Sequence, residues 1–90
     1  MAKIEEREII GIANQVATAN LGSSSFKTVR SVPTIDSMGR EALEIIIVLT
    51  PGSSSKVTGE AAANTVSDIN RKLQDAGEER FSVVRYSTSQ

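Results

Sequence analysis

The chain has 90 residues, ten of them basic and eleven acidic, and it contains no histidine, cysteine or tryptophan. This composition excludes a histidine-based catalytic triad, thiol chemistry and the usual zinc sites. Chemistry by carboxylate, lysine or tyrosine stays open, but no catalytic motif is recognisable, so we predict no enzymatic activity, no cofactor and no metal site. The net charge of −1 gives no general attraction to nucleic acid or to an anionic membrane.

The length predicts one small domain over residues 1–90. The longest apolar run, residues 45–49, is far shorter than the roughly 20 residues that a membrane-spanning helix needs. The N-terminus lacks the apolar core of an export signal. We therefore expect a cytoplasmic protein without a membrane partner, and the absence of cysteine suits a reducing compartment.

The first predicted element is a helix over residues 3–20. Its apolar side chains recur every three or four positions, which is typical of one helix face. They are Ile9, Ile12, Ala13, Val16 and Ala17. Glutamates in the first turns suit the positive end of the helix dipole, and Gly22 is placed to end the helix.

A β-hairpin is predicted next. Residues 26–35 favour a strand, and Pro33 indicates that it is an edge strand or carries a bulge. Residues 36–39 predict a tight turn in which Gly39 takes a positive φ. Residues 41–50 predict a second strand with one wholly apolar face, formed by Leu43, Ile45, Ile47 and Leu49.

A second helix is predicted over residues 58–76, with Thr58 as its N-cap, and a last strand over residues 80–87. The sequence therefore predicts an α+β two-layer sandwich in the order helix–strand–strand–helix–strand, with a three-stranded mixed sheet and two helices on one face. The helical crossover makes the last strand parallel to the second. Two strand orders stay open, second–first–third and first–second–third.

The order of elements is similar to that of the prokaryotic type of KH domain, a small RNA-binding fold. Those domains carry a G-x-x-G loop between two helices. Only one helix fits between Leu49 and Arg80 here, and Gly52 and Gly59 are too far apart to form that loop. The similarity is therefore one of element order alone.

The loop before the second helix is a candidate anion site, because backbone N–H groups of a glycine- and serine-rich loop can hold a phosphate. Its candidate residues are Ser53, Ser54, Ser55 and Lys56. A phosphate loop has its lysine after the second glycine, whereas Lys56 precedes Gly59. A solvated loop is the favoured interpretation.

Basic residues on the strands and hairpin suggest a nucleic-acid surface. They are Lys27, Arg30, Arg40 and Arg85. Arg30 shares its strand parity with Phe26, and Arg85 shares its parity with Phe81. If the faces of the two strands coincide, one sheet face would combine charge with stacking. Scattered arginines on a solvated face are the competing interpretation, because few aromatic residues are present and glutamates dilute the charge.

We expect neither the neighbouring acidic residues nor the single tyrosine to be catalytic. The acidic groups are Glu5, Glu6 and Glu8, then Glu41 and Glu44, then Glu78 and Glu79. Each group lies where an element begins or ends, so we expect these carboxylates to be exposed rather than catalytic or metal-binding. Tyr86 is expected to pack against a helix.

Two helices can cover only one face of a three-stranded sheet, so apolar residues on the other face predict an interface. Its candidate residues are Ile46, Val48, Val84 and Tyr86. The alternative is that the first helix covers them. We predict a small interaction or regulatory module, a homodimer that binds itself or another protein through a sheet face or edge. A nucleic-acid-binding module is the alternative, and a small enzyme without His or Cys ranks last.

Overall fold

The computed structural model describes residues 3–88, so residues 1–2 and 89–90 of the predicted domain lie outside the described residues. Its elements are α1 (Glu6–Leu21), β1 (Phe26–Ile35), β2 (Glu41–Leu49), a short 3-10 turn (Ser53–Ser55), α2 (Gly59–Asp75) and β3 (Phe81–Ser87). The predicted α+β class and the order helix–strand–strand–helix–strand are confirmed.

The sheet has three strands in the order β1–β2–β3. β1 pairs with β2 in antiparallel fashion, with Val29 opposite Ile47 and Ile35 opposite Glu41. β3 pairs with β2 in parallel, as the helical crossover predicts. Of the two strand orders left open by the sequence, the structure has the one in which β2 is central.

Both helices pack on one side of the sheet, which we call the helix side. The four alternating apolar residues of β2 are buried there with residues of both helices and of β1. The buried helix residues of this core are Ile9, Ala13, Val16, Ala17, Ile69 and Leu73. Thr65 of α2 is also fully buried, and it is tolerated because its hydroxyl donates a hydrogen bond to the carbonyl of Ala61 at 2.8 Å.

The hairpin turn is held by one side chain. Asp36 Oδ1 accepts hydrogen bonds from the backbone N–H groups of Met38 and Arg40, both at 2.9 Å. Gly39 has a φ of 83°, a conformation that few other residues adopt without strain. The predicted turn is therefore present, and it fixes the hairpin end of the sheet, where β2 and β3 both begin.

A β-bulge changes the alternation of β1. The register shifts between Phe26 and Thr28, so Phe26 lies opposite Leu49 in the core while Thr28 and Arg30 point to the other side of the sheet. The predicted grouping of Phe26 with Arg30 on one face is wrong, because it assumed an unbroken alternation along the strand.

Candidate interaction surface

The side of the sheet opposite the helices is the candidate site, and we call it the open face. The strand register places four residues of each strand there. They are Thr28, Arg30, Val32 and Thr34 of β1, Ala42, Glu44, Ile46 and Val48 of β2, and Phe81, Val83, Arg85 and Ser87 of β3. Neither helix covers this face, so the alternative in which α1 shields Ile46 and Val48 is not what the structure has.

Exposure on the open face is greatest on the outer strands. Val48 is only 5% exposed although no layer covers it, because Thr28 and Ser87 flank it in the neighbouring strands. In contrast, Phe81 is 66% and Val83 is 44% exposed on β3, which has a neighbour on one side. The accessible apolar residues of the open face are therefore on the outer strands, chiefly on β3, rather than at the predicted Ile46 and Val48.

A cleft of about 430 Å³ lies at the hairpin end of the open face. It runs between the hairpin turn and β3, and its walls include Ile35, Phe81 and Val83. Ala42 lies between Thr34 and Phe81 in the sheet, so the central strand contributes only a methyl group at this point. The cleft is thus a consequence of one small residue between two larger ones.

The charged groups around this cleft neutralise one another. Arg85 Nε lies 3.0 Å from Glu44 Oε2, and Arg40 Nε lies 3.0 Å from Asp36 Oδ2. The pKa of Asp36 lies below its usual value, mainly because its carboxylate accepts a hydrogen bond from the Arg40 backbone N–H. Hydrogen bonds from the Met38 backbone N–H and from the Arg40 side chain lower it further. Asp36 therefore stays ionised near neutral pH, which makes it a poor proton carrier.

The four residues predicted to form one interface lie on opposite sides of the sheet. Ile46 and Val48 are on the open face, whereas Val84 and Tyr86 pack against the core on the helix side. The Tyr86 hydroxyl donates a hydrogen bond to the carbonyl of Ala62 at 2.9 Å, and burial raises the pKa of Tyr86. Val84 and Tyr86 therefore cannot join Ile46 and Val48 in one surface.

The basic residues predicted for nucleic-acid contact are only partly brought together. Arg30 and Arg85 flank Ile46, so these two arginines do lie on the same face of the sheet. Lys27 lies in the bulge of β1 and Arg40 in the hairpin turn. The exposed ring of Phe81 is four residues from Arg85 along β3, roughly 13 Å. It shares a second cleft of about 260 Å³ with Asp36, Arg40, Glu41 and Glu79.

The predicted anion loop turns its donors inward. The backbone N–H of Ser53 donates to the carbonyl of Thr50 at 3.0 Å, and those of Lys56 and Val57 donate to the carbonyl of Ser53. The Ser53 hydroxyl is hydrogen-bonded to the Thr50 hydroxyl, and the Ser55 hydroxyl donates to the carbonyl of Gly52. With these groups engaged in the turn itself, the geometry favours the solvated-loop interpretation.

Glu78 is the ionisable residue that the sequence interpretation misplaced. It was expected to be exposed, but its side chain is inaccessible to solvent. Its carboxylate accepts hydrogen bonds from the backbone N–H of Ile4 at 3.0 Å and from Arg80, with Arg80 Nε at 2.7 Å. The Arg80 side chain is the main cause that lowers the pKa of Glu78 to about 2. The Glu78–Arg80 pair therefore connects the segment before α1 to the segment before β3.

Metal-binding groups, membrane-spanning helices and similar proteins give no indication of the function. Among residues 3–88, no group of three or more His, Cys, Asp or Glu side chains is arranged to hold a metal ion. Over the same residues, no helix combines the length and apolarity needed to cross a membrane. Comparisons with family models, with curated proteins and with solved structures find no match to this chain. The open face and its edges remain the features from which a function can be argued.

Proposed function

We propose that this chain is a cytoplasmic protein-binding module that works as a homodimer and catalyses no reaction of its own. The observation that carries the proposal is the exposure of Phe81 on the open face, beside exposed Val83. With Ile35, which lines the same cleft, they form an apolar surface at the hairpin end, which we call the hairpin-end patch. Clustered exposed apolar residues, an aromatic ring among them, are typical of protein interfaces.

The charges around the patch favour a protein partner over an anionic one. Arg40 and Arg85 are each paired with a carboxylate of the same chain, so neither offers an uncompensated positive charge. A phosphate backbone would have to displace Asp36 or Glu44 to reach them. An apolar surface on a second protein requires no such exchange, and burial of Phe81 gives it a favourable contribution of about 2 kcal/mol.

The same pairs argue against catalysis in the cleft. A general acid or base must gain and lose a proton near the working pH. Asp36 is held in its ionised form by the backbone N–H groups of Arg40 and Met38. The Tyr86 hydroxyl is on the helix side of the sheet and donates to a backbone carbonyl, so it does not reach the cleft.

The molar mass in solution tests the proposal. Sedimentation equilibrium should give about 19 kDa, twice the 9.6 kDa of the chain. Phe81→Ser removes the anchor from both copies of a two-fold dimer, so at about 2 kcal/mol each it should weaken the dimer by roughly 1,000-fold. Met38→Ser is the matched control, because Met38 is equally apolar and exposed but lies at the tip of the hairpin. A monomer at several hundred micromolar wild-type protein would overturn the proposal.

Nucleic-acid binding is the second candidate, because Arg30 and Arg85 do face the same side of the sheet. Arg30 has no ion-pair partner within residues 3–88, so it offers one free guanidinium to a phosphate. A titration with short single-stranded oligonucleotides at low salt distinguishes the two candidates. Salt-sensitive amide shifts at both arginines, lost in the double alanine variant, would favour this second candidate.

A further inference from the structure

The two edges of the sheet differ in how well they are protected against pairing with another strand. The outer strand β1 contains Pro33, which lacks a backbone N–H, and a bulge between Phe26 and Thr28. Proline and bulges are devices by which edge strands avoid pairing. β3 has neither: its register against β2 is continuous from Phe81 to Ser87. The edge of β3 is therefore the one that can accept another strand.

The two arginines on and next to β3 are already paired within the chain. Arg85 is paired with Glu44 of β2, and Arg80 is paired with the buried Glu78. Two copies of β3 can consequently approach one another without an uncompensated charge on either strand. A strand of a strongly charged partner would find nothing on β3 to neutralise it. This balance favours a second copy of the same chain as the occupant.

The burial of Val48 indicates what a strand added to β3 would achieve. Val48 is 5% exposed on the open face and has a strand on each side. Val83 is 44% exposed on the same face with a strand on one side only among the described residues. A second flanking strand would shield Val83 and Phe81 in the same way that β1 and β3 shield Val48. Edge pairing therefore reduces the exposure of Phe81 and Val83 without a new layer over the face.

We propose that β3 pairs with β3 of a second copy in antiparallel fashion, so that two three-stranded sheets become one continuous sheet. The inference rests on the proposed homodimer and specifies its interface. The two-fold axis is perpendicular to the sheet, which leaves both open faces on one side and all helices on the other. Full overlap of Phe81–Ser87 with itself places Val84 opposite its own copy and Val83 opposite Arg85.

Amide hydrogen exchange of the wild-type protein tests this pairing without any substitution. At a concentration where 90% of the chain is dimeric, amides that point from β3 toward the partner should exchange about tenfold more slowly than in the monomer, because they open chiefly through dissociation. The edge amides of β1 should not change. Slowing confined to β3 supports the pairing, and slowing confined to β1 or absent from both strands overturns it.

A cross-linking experiment tests the register of β3 against β3 of the second copy. Because the chain contains no cysteine, an introduced cysteine is the only thiol that can form a disulfide. Val84→Cys should form an intermolecular disulfide on mild oxidation, whereas Val32→Cys on β1 should not. A wild-type dimer by mass in which only Val32→Cys cross-links would overturn β3 pairing and leave the homodimer standing. A wild-type monomer by mass would overturn both proposals. The two failures are therefore distinguishable.

Discussion

Replacing Glu78 by glutamine should destabilise the fold more than any exposed charge substitution. The Glu78 carboxylate accepts hydrogen bonds from Ile4 N, Arg80 N, Arg80 Nε and Arg80 Nη2. Glutamine keeps the size of the side chain but removes the charge and replaces one accepting oxygen by a donor. The Arg80 side chain, 8% exposed, would then lack its buried counter-ion.

The magnitude follows from the pKa of Glu78. Its value in the folded chain is about 2, against an ordinary value of 4.5. A difference of about 2.5 pH units corresponds to roughly 3–4 kcal/mol, at about 1.4 kcal/mol per unit. Since the folded pKa is the lower one, this stabilisation is fully present above pH 4.5 and is lost as the pH falls toward 2. For a domain with about 5–15 kcal/mol of total stability, that is a substantial share.

Urea unfolding at several pH values measures the effect. The free energy of unfolding of Glu78→Gln should lie about 3–4 kcal/mol below that of the wild type at pH 7. The difference should shrink toward zero near pH 2, where the wild-type carboxyl is also protonated. Asp75→Asn is the matched control: Asp75 is exposed at the C-terminal end of α2, so its removal should change stability by less than about 0.5 kcal/mol. A free energy of unfolding of Glu78→Gln within 0.5 kcal/mol of the wild-type value at pH 7 would refute the reasoning.

Three further substitutions have expected outcomes in the same unfolding assay at pH 7. Ser31→Ala should raise the free energy of unfolding by about 1 kcal/mol, because the buried Ser31 hydroxyl lacks a partner among the described residues. Ser82→Ala, with an equally buried hydroxyl that donates to Asn70, should lower it; equal effects at both serines would contradict the argument. Tyr86→Phe should cost about 1 kcal/mol through loss of its hydrogen bond to the Ala62 carbonyl, and an unchanged stability would mean that the bond contributes nothing.

The sequence was most informative where apolar residues alternate without interruption. The wholly apolar face of β2 identified the core, and the spacing in α1 identified the helix residues that pack on it. The strand order stayed open, although Pro33 carried a usable signal. A central strand needs its N–H groups on both sides, so Pro33 disfavours the order in which β1 is central. The structure agrees with this constraint.

The candidate interface was harder to predict because both faces of β3 contain apolar residues. Val84 and Tyr86 alternate with Phe81 and Val83, so composition alone does not decide which pair is buried. That choice depends on the register of β3 against β2, which is set by the length and packing of α2. Similarly, the sequence of β1 does not indicate the bulge between Phe26 and Thr28, which places Phe26 in the core. Pro33, which suggested a bulge, lies at another point of the strand.

The parallel placement of β3 has a consequence for the order of folding. β1 and β2 are neighbours in sequence and are joined by the turn that Asp36 holds, and closing such a short loop costs little chain entropy. β3 meets β2 only after residues 50–80, α2 included, have been ordered, and closing that longer loop costs more chain entropy. β3 is therefore the last strand to dock. Assembly of the proposed dimer, which uses the outer edge of that strand, has to wait until each copy has finished folding.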